Sequence, residues 1–326
     1  MMRHRCLWIG FLSLPALVAS RPAGARMAGV LAQAAEKTIA VDGHTRSYLV
    51  YAPRRGGGPL PLVLVFHGGG SDARRMERYS RFTRLAEREG FLVCYPQAVE
   101  GNWNDGRDVR FIRAHRDKID DVKFVRRLIE QIGREHKLDR SRVFATGISN
   151  GAFMSHRLAA EASDLIAAVA PVVGGMAPAI AEKFAPKYPV SLFVIQGDRD
   201  PLVPIRGGYV GFRRGRRRGK LVPTKEAVAK YLRRNAISGK GAVKRLEDAD
   251  PNDGTTTTAT VYPAGLGGAK VRVYVVGNGG HAWPGRPLYL PEGIIGKASR
   301  DFDATRAIWE FFKSCPPRKP DRPGRQ

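Results

Sequence analysis

Residues Gly147-Ile148-Ser149-Asn150-Gly151 set a serine between two glycines, with strand-like "RVFATG" before them and helix-like "AFMSHRLAAEA" after. Between a strand and a helix, G-x-S-x-G is a sharp turn that lifts a serine oxygen clear of a sheet, and the glycines leave room for it. A serine hydroxyl becomes an effective nucleophile only with a base beside it. The chain has seven histidines. His4 lies in the leader, His44 in a hairpin, His67 before a glycine loop and His136 before a strand, at the wrong end of a sheet. His156 is two helical turns past Ser149, too far to reach back. His115, in a long loop, stays open. His281 in "GNGGHAWPG" directly follows the strand "VRVYVVG" and is the expected base.

The base needs a carboxylate to orient it and to stabilise its protonated form. The segment "FVIQGDRDPLVP" offers Asp198 and Asp200. The chain order Ser149, Asp200, His281 favours Asp200, with Asp198 as the alternative. An oxyanion needs backbone donors. The Asn150 N–H follows the nucleophile and begins a helix, and "HGGG", residues 67–70, follows a buried strand and offers Gly69 as the second. Trp283, two residues after the base, and Trp103, in the long loop 97–118, are expected to line the site, where a phenolic ring or acyl chain would stack, with packing of the histidine loop as the equal alternative for Trp283.

Positioning these groups requires a sheet. "KTIAVDGHTRSYLVYAP" alternates around Asp-Gly as a hairpin. "PLVLVFHGG", "FLVCYP", "RVFATGIS", "IAAVAPVVGG", "VSLFVIQG" and "KVRVYVVGNG" read as short apolar strands, most of them buried on both faces. Helical segments alternate with them: "DARRMERYSRFTRLAEREG", "IDDVKFVRRLIEQIGREHK", "NGAFMSHRLAAEA", "TKEAVAKYLRRNAI" and "DFDATRAIWEFFKS". The expected fold class is α/β, a mostly parallel sheet with helices on both faces in one domain over residues 36–315. The proline-rich basic tail, 316–326, is expected to be disordered.

The first 25 residues carry a basic start, an apolar run from Cys6 to Ala19 and a small-residue end, the pattern of a secretory signal peptide. That run is too short for a comfortable membrane span, so no span is expected once it is removed. Cys94 reads as a small buried hydrophobe, and sequence alone does not pair it with Cys315. The formal charge of +25 invites nucleic acid, but no recognised nucleic-acid-binding pattern accompanies it, and no specific nucleic acid is expected. The densest basic run, Phe212 to Lys220, reads as a solvated loop, with an anionic contact as its alternative. "DADPNDG" fails as a calcium loop: Gly254 comes one place late and Ala259 stands where a glutamate should close the site. No metal is expected there, and Asp120 and Asp121 read as the start of a helix.

Taken together, "HGGG", "NWNDGR", "IDDVKFVRRLIEQI", "RVFATGISNGAFMSHRLA", "GDRDPLVP" and "GGHAWPG" resemble the polyhydroxybutyrate depolymerase-like esterases, a branch of the α/β-hydrolases that includes feruloyl and acetylxylan esterases. The resemblance runs from about Val63 to about Phe312. It implies a secreted serine esterase with Ser149, Asp200 and His281 as its triad, an ester substrate such as a polyester oligomer or esterified polysaccharide, and no cofactor. Gln196 departs from the family's usual histidine, while the aspartate three places after the glycine is kept as Asp200. Soluble or side-chain esters fit better than crystalline polymer, because depolymerases of crystalline polyester commonly carry a further substrate-binding domain. A competing reading, motivated by the charge, is a non-catalytic polymer-binding protein on a hydrolase scaffold.

Overall fold

A computed structural model describes residues 33–54, 57–212 and 215–318. The expected signal peptide and the last eight residues of the expected disordered tail lie outside the described residues. Among the described residues twelve strands occur in chain order: β1 (Ala35–Val41), β2 (His44–Tyr51), β3 (Leu60–Phe66), β4 (Leu92–Pro96), β5 (Leu138–Ile148), β6 (Ala168–Val172), β7 (Ser191–Gly197), β8 (Gly208–Tyr209), β9 (Lys220–Leu221), β10 (Ala242–Arg245), β11 (Thr256–Val261) and β12 (Val271–Gly277). The helices are α1 (Ala73–Ser80), α2 (Phe82–Glu89), α3 (Arg113–Arg116), α4 (Asp121–Glu135), α5 (Asn150–Glu161), α6 (Pro178–Glu182), α7 (Thr224–Arg234), α8 (Glu292–Ile295) and α9 (Ala304–Ser314).

Ten strands form one sheet in the order β1-β2-β4-β3-β5-β6-β7-β12-β11-β10. The run from β4 to β12 is parallel, and antiparallel strands extend both edges. Alternation along each strand divides the core in two. In β3, Leu62, Leu64 and Phe66 join the layer under α4, α5 and α7, whereas Val63 and Val65 join the layer under α1, α2 and α9. Rings close the second layer, with Phe144 stacked on Phe312 at 4.7 Å and Phe91 on Trp309 at 3.9 Å. The leading hairpin forms as expected, and Asp42 and Gly43 both take the positive φ of its turn.

The segment expected as one helix over 72–90 is two. Arg81, at φ 60°, closes α1 through its N–H to the Glu77 carbonyl and starts α2 in a new direction. That break lets Ser80 and Phe82 both be buried. β10, an exposed edge strand, also went unanticipated. The expected tail begins in order: the Arg318 N–H donates to the Ser141 carbonyl at 2.8 Å. Cys94 and Cys315 are both buried and unpaired, in opposite layers of the core. Burial pushes the Cys315 thiol up to about 12.

Sheet order determines where a ligand can sit. From β3 the chain moves outward to β4, then crosses back to place β5 on the other side of β3. A parallel sheet offers its crevice at such a reversal, beyond the carboxyl ends of the strands. The loops leaving β3 and β5 there are 67–70 and the turn at Ser149.

Candidate active site

Ser149 stands between β5 and α5 at φ 54°, ψ −119°. That backbone costs a residue with a Cβ about 1–3 kcal/mol. The surroundings explain the two glycines. A Cβ on Gly147 would lie 2.6 Å from the Phe66 carbonyl oxygen, and one on Gly151 would lie 2.3 Å from the same atom and 2.7 Å from the His67 carbonyl oxygen. The turn is therefore pressed against the end of β3. Gly151→Ala is expected to lower stability by about 3 kcal/mol or to prevent folding, because backbone rather than a movable side chain opposes the methyl. Gly57→Ala, with nothing within 4 Å of its added Cβ, serves as the control in thermal unfolding and should leave the midpoint unchanged.

The residues expected as acid and base meet across the ends of β7 and β12. His281 Nδ1 donates to Asp200 Oδ2 at 2.7 Å, and both side chains are buried. The other carboxylate oxygen accepts the Leu202 and Val203 N–H groups at 2.8 Å each. Gln196 Nε2 lies 3.3 Å from Oδ2 and donates to the Val203 carbonyl at 2.9 Å, so the glutamine holds the acid loop. Asp198 is elsewhere: it accepts the Asn278 N–H at 2.7 Å and ties the two strand ends together. The His281 loop is fixed from outside, its N–H donating to the Ile295 carbonyl and that of Gly280 to the Lys297 carbonyl.

Ser149, His281, Asn150 and Gly69 line one cavity of about 970 Å³. An added Gly69 Cβ would stand 3.6 Å from the Asn150 Cβ, so the two expected oxyanion donors are neighbours. Asn150 is held by the long loop. Its side-chain oxygen accepts the Trp103 N–H at 2.8 Å, and its Nδ2 donates to Asp105 Oδ2 at 2.5 Å. Asp105 is in turn paired with buried Arg107 at 2.7 Å.

Both tryptophans expected at the site are fully buried, and neither lines the cavity. Trp103 donates its indole N–H to the His67 carbonyl at 3.0 Å and meets Phe66 edge-on. Trp283 donates to Thr305 Oγ1 at 3.1 Å and meets Phe82 edge-on. They brace the β3 end and the histidine loop and offer no face to a substrate. His115 is also internal, accepting the Val109 N–H and donating to the Trp103 carbonyl. His67 accepts the Ala98 N–H at Nε2 and donates from Nδ1 to the Gly68 carbonyl, and burial pushes its pKa down to about 4. It is a neutral structural group.

The cavity wall comes from segments the sequence did not connect with it. Tyr79 of α1 and Tyr289 form one side, their rings 5.9 Å apart edge to face. Phe212 and Arg218 of the basic loop form another. This loop was expected to be a solvated segment; part of it faces the site. Asn102, Asp105 and Arg107 could have been found from "NWNDGR", whose polar residues lie in a loop too long to be a simple connector.

A mostly parallel sheet with these groups beyond the carboxyl ends of its strands defines an α/β-hydrolase. Residues 46–182 match the family described as Esterase PHB depolymerase. The chain is 30% identical over 289 residues to "Putative esterase NocK" of Nocardia uniformis subsp. tsuyamanensis, covering 85% of this chain and 81% of that protein. It is 26% identical over 229 residues to Feruloyl esterase B of Piromyces equi, covering 68% of this chain but only 39% of that protein. In fold it is similar to the acetyl xylan esterase from Aspergillus awamori, with TM-score 0.59 and 14% identity, covering 86% of this chain and 100% of the other. The chain belongs to the polyhydroxybutyrate depolymerase-like esterase family and is a carboxylic ester hydrolase.

Proposed function

We propose that the protein hydrolyses esters through an acyl-enzyme formed on Ser149. Ser149 Oγ attacks the ester carbonyl, and His281 Nε2 takes its proton, then returns it to the leaving alcohol. Asp200 fixes the ring with Nδ1 protonated, leaving Nε2 as the acceptor. The Gly69 and Asn150 amides, with the N-terminus of α5 behind them, stabilise the oxyanion. Water then repeats the sequence on the acyl-enzyme. The 2.7 Å bond between His281 and Asp200, on the cavity that Ser149 also lines, carries this reading.

The substrates are hydroxyalkanoate oligomers or feruloyl or acetyl esters of polysaccharide, on the strength of what the family and its named relatives are called. Export is part of the reading and rests on the signal-like first 25 residues. Among the described residues no helix is long and apolar enough to cross a membrane.

The test is labelling of the folded protein with a serine-directed fluorophosphonate, followed by peptide mapping. The expected result is one adduct, on Ser149. A folded protein that takes up no label, or takes it elsewhere, overturns the proposal.

A further inference from the structure

The charge around the cavity is one-sided. Seven arginines line it, and among the described residues its lining contains no aspartate or glutamate. Three of the seven are already committed: Arg75 to Asp72 at 3.2 Å, Arg107 to Asp105 at 2.7 Å and Arg286 to Asp303 at 2.8 Å. Arg218 differs. It is half-buried, and its Nη2 donates to a neutral acceptor, Asn102 Oδ1, at 2.9 Å. The same Nη2 lies 3.3 Å from where a Cβ of Gly69 would stand, which places a guanidinium beside the oxyanion loop.

Arg218 is held there deliberately by its backbone. Its N–H donates to the Val210 carbonyl at 2.8 Å, and its own carbonyl accepts Arg107 Nη1 at 3.0 Å. Desolvation and the field of Arg107 hold its pKa below the usual arginine value, and the Asp105 carboxylate opposes them only in part. An arginine nevertheless remains charged at neutral pH. A half-buried, fixed cation that donates to a neutral partner, and whose nearby carboxylate Asp105 is already paired with Arg107, gains from a ligand that brings a further negative charge. Met76, Leu202, Val210 and Leu288 give the cavity apolar wall for a short carbon chain.

We propose that the ester this enzyme cleaves carries a carboxylate, and that Arg218 binds that carboxylate beside the oxyanion loop. The proposal rests on the serine-esterase reading above for its chemistry. One guanidinium, with one of its nitrogens already given to Asn102, matches one planar singly charged acid rather than a dianionic phosphate.

The test uses two matched pairs, each corrected for spontaneous hydrolysis. 4-Nitrophenyl hemiglutarate against 4-nitrophenyl pentanoate puts the acid on the acyl side. 3-Acetoxybutyrate against its methyl ester puts it on the alcohol side. The acidic member of at least one pair should show kcat/KM about tenfold higher or more, and raising the salt to about 0.5 M should erode that preference. Arg218→Gln should reduce the acid-to-neutral ratio to about one or below, and Arg218→Lys should keep part of it. A general distortion of the loop would lower both rates and leave the ratio alone.

Ratios at or below one in both pairs for the parent enzyme overturn the proposal, as does a ratio that Arg218→Gln does not move. Should no ester turn over, the esterase reading fails instead. Calorimetric binding of glutarate then decides the anion site: binding that Arg218→Gln abolishes supports it, and binding that is absent or unchanged overturns it. The salt dependence needs no variant, so the proposal stays testable even if Arg218→Gln does not fold.

Discussion

Ser149→Ala is expected to lower kcat/KM for a 4-nitrophenyl ester by about 10⁴-fold or more, with an unfolding midpoint within about 2 °C of the parent. The two halves of that result have separate causes. Activity falls because Oγ is the only heavy atom lost and, in the proposed mechanism, is the one that forms the acyl bond. What remains comes from the oxyanion donors and binding, which the substitution leaves in place. Stability holds because the Ser149 side chain does not cap α5, and a methyl occupies less space than the group it replaces. Ser149→Gly should be equally inactive yet about 1 kcal/mol more stable than Ser149→Ala. Alanine keeps the strain of φ 54°, ψ −119°, whereas glycine relaxes it by more than its added unfolded-state entropy costs. Ester hydrolysis and thermal unfolding of the two variants decide the matter. An alanine variant that keeps a tenth of the parent activity would show that Ser149 is only the residue a tight turn needed.

How much of this site could be read from sequence depends on how far each side chain's role is determined near its own position. Ser149, Asp200 and His281 each follow an apolar strand, and parallel strands in one sheet bring their carboxyl ends to one edge. Local pattern was therefore enough to put them at a common edge. Asp200 was already favoured over Asp198, but setting Asp198 aside needed coordinates, because two residues in one loop can point to opposite sides of it. The tryptophans failed for a different reason. Whether an indole lines a cavity or fills a core depends on what covers it, and Trp283 is covered by Phe82 and Thr305, both remote in sequence. Arg218 was hidden in the same way. A run of arginines between glycines looks solvated, and its bond to Asn102 spans 116 residues. The break at Arg81 was not legible either, since an arginine in the left-handed region carries no local signature of the kind a glycine would.

Asp200→Asn is expected to cost about 10⁴-fold in kcat with little loss of fold, and the hydrogen bonds around Asp200 say why. Four donors converge on this carboxylate: the Leu202 and Val203 amides on Oδ1, and His281 Nδ1 and Gln196 Nε2 on Oδ2. An asparagine has one oxygen and one NH₂ to offer in their place. Turning the oxygen to the two backbone amides keeps two good bonds, whereas the opposite orientation breaks both. The favoured orientation therefore points the NH₂ at His281. Nδ1 must then accept, so the ring's proton moves to Nε2, the nitrogen that receives the Ser149 proton in the proposed mechanism. The geometry survives while the base is blocked. Fluorophosphonate labelling of Ser149 should slow in parallel with kcat, because both depend on the same proton transfer, while KM changes little. A loss of less than tenfold would mean that Asp200 holds the loop without setting the tautomer. In that case the carboxylate's two bonds to the Leu202 and Val203 amides would be its main work.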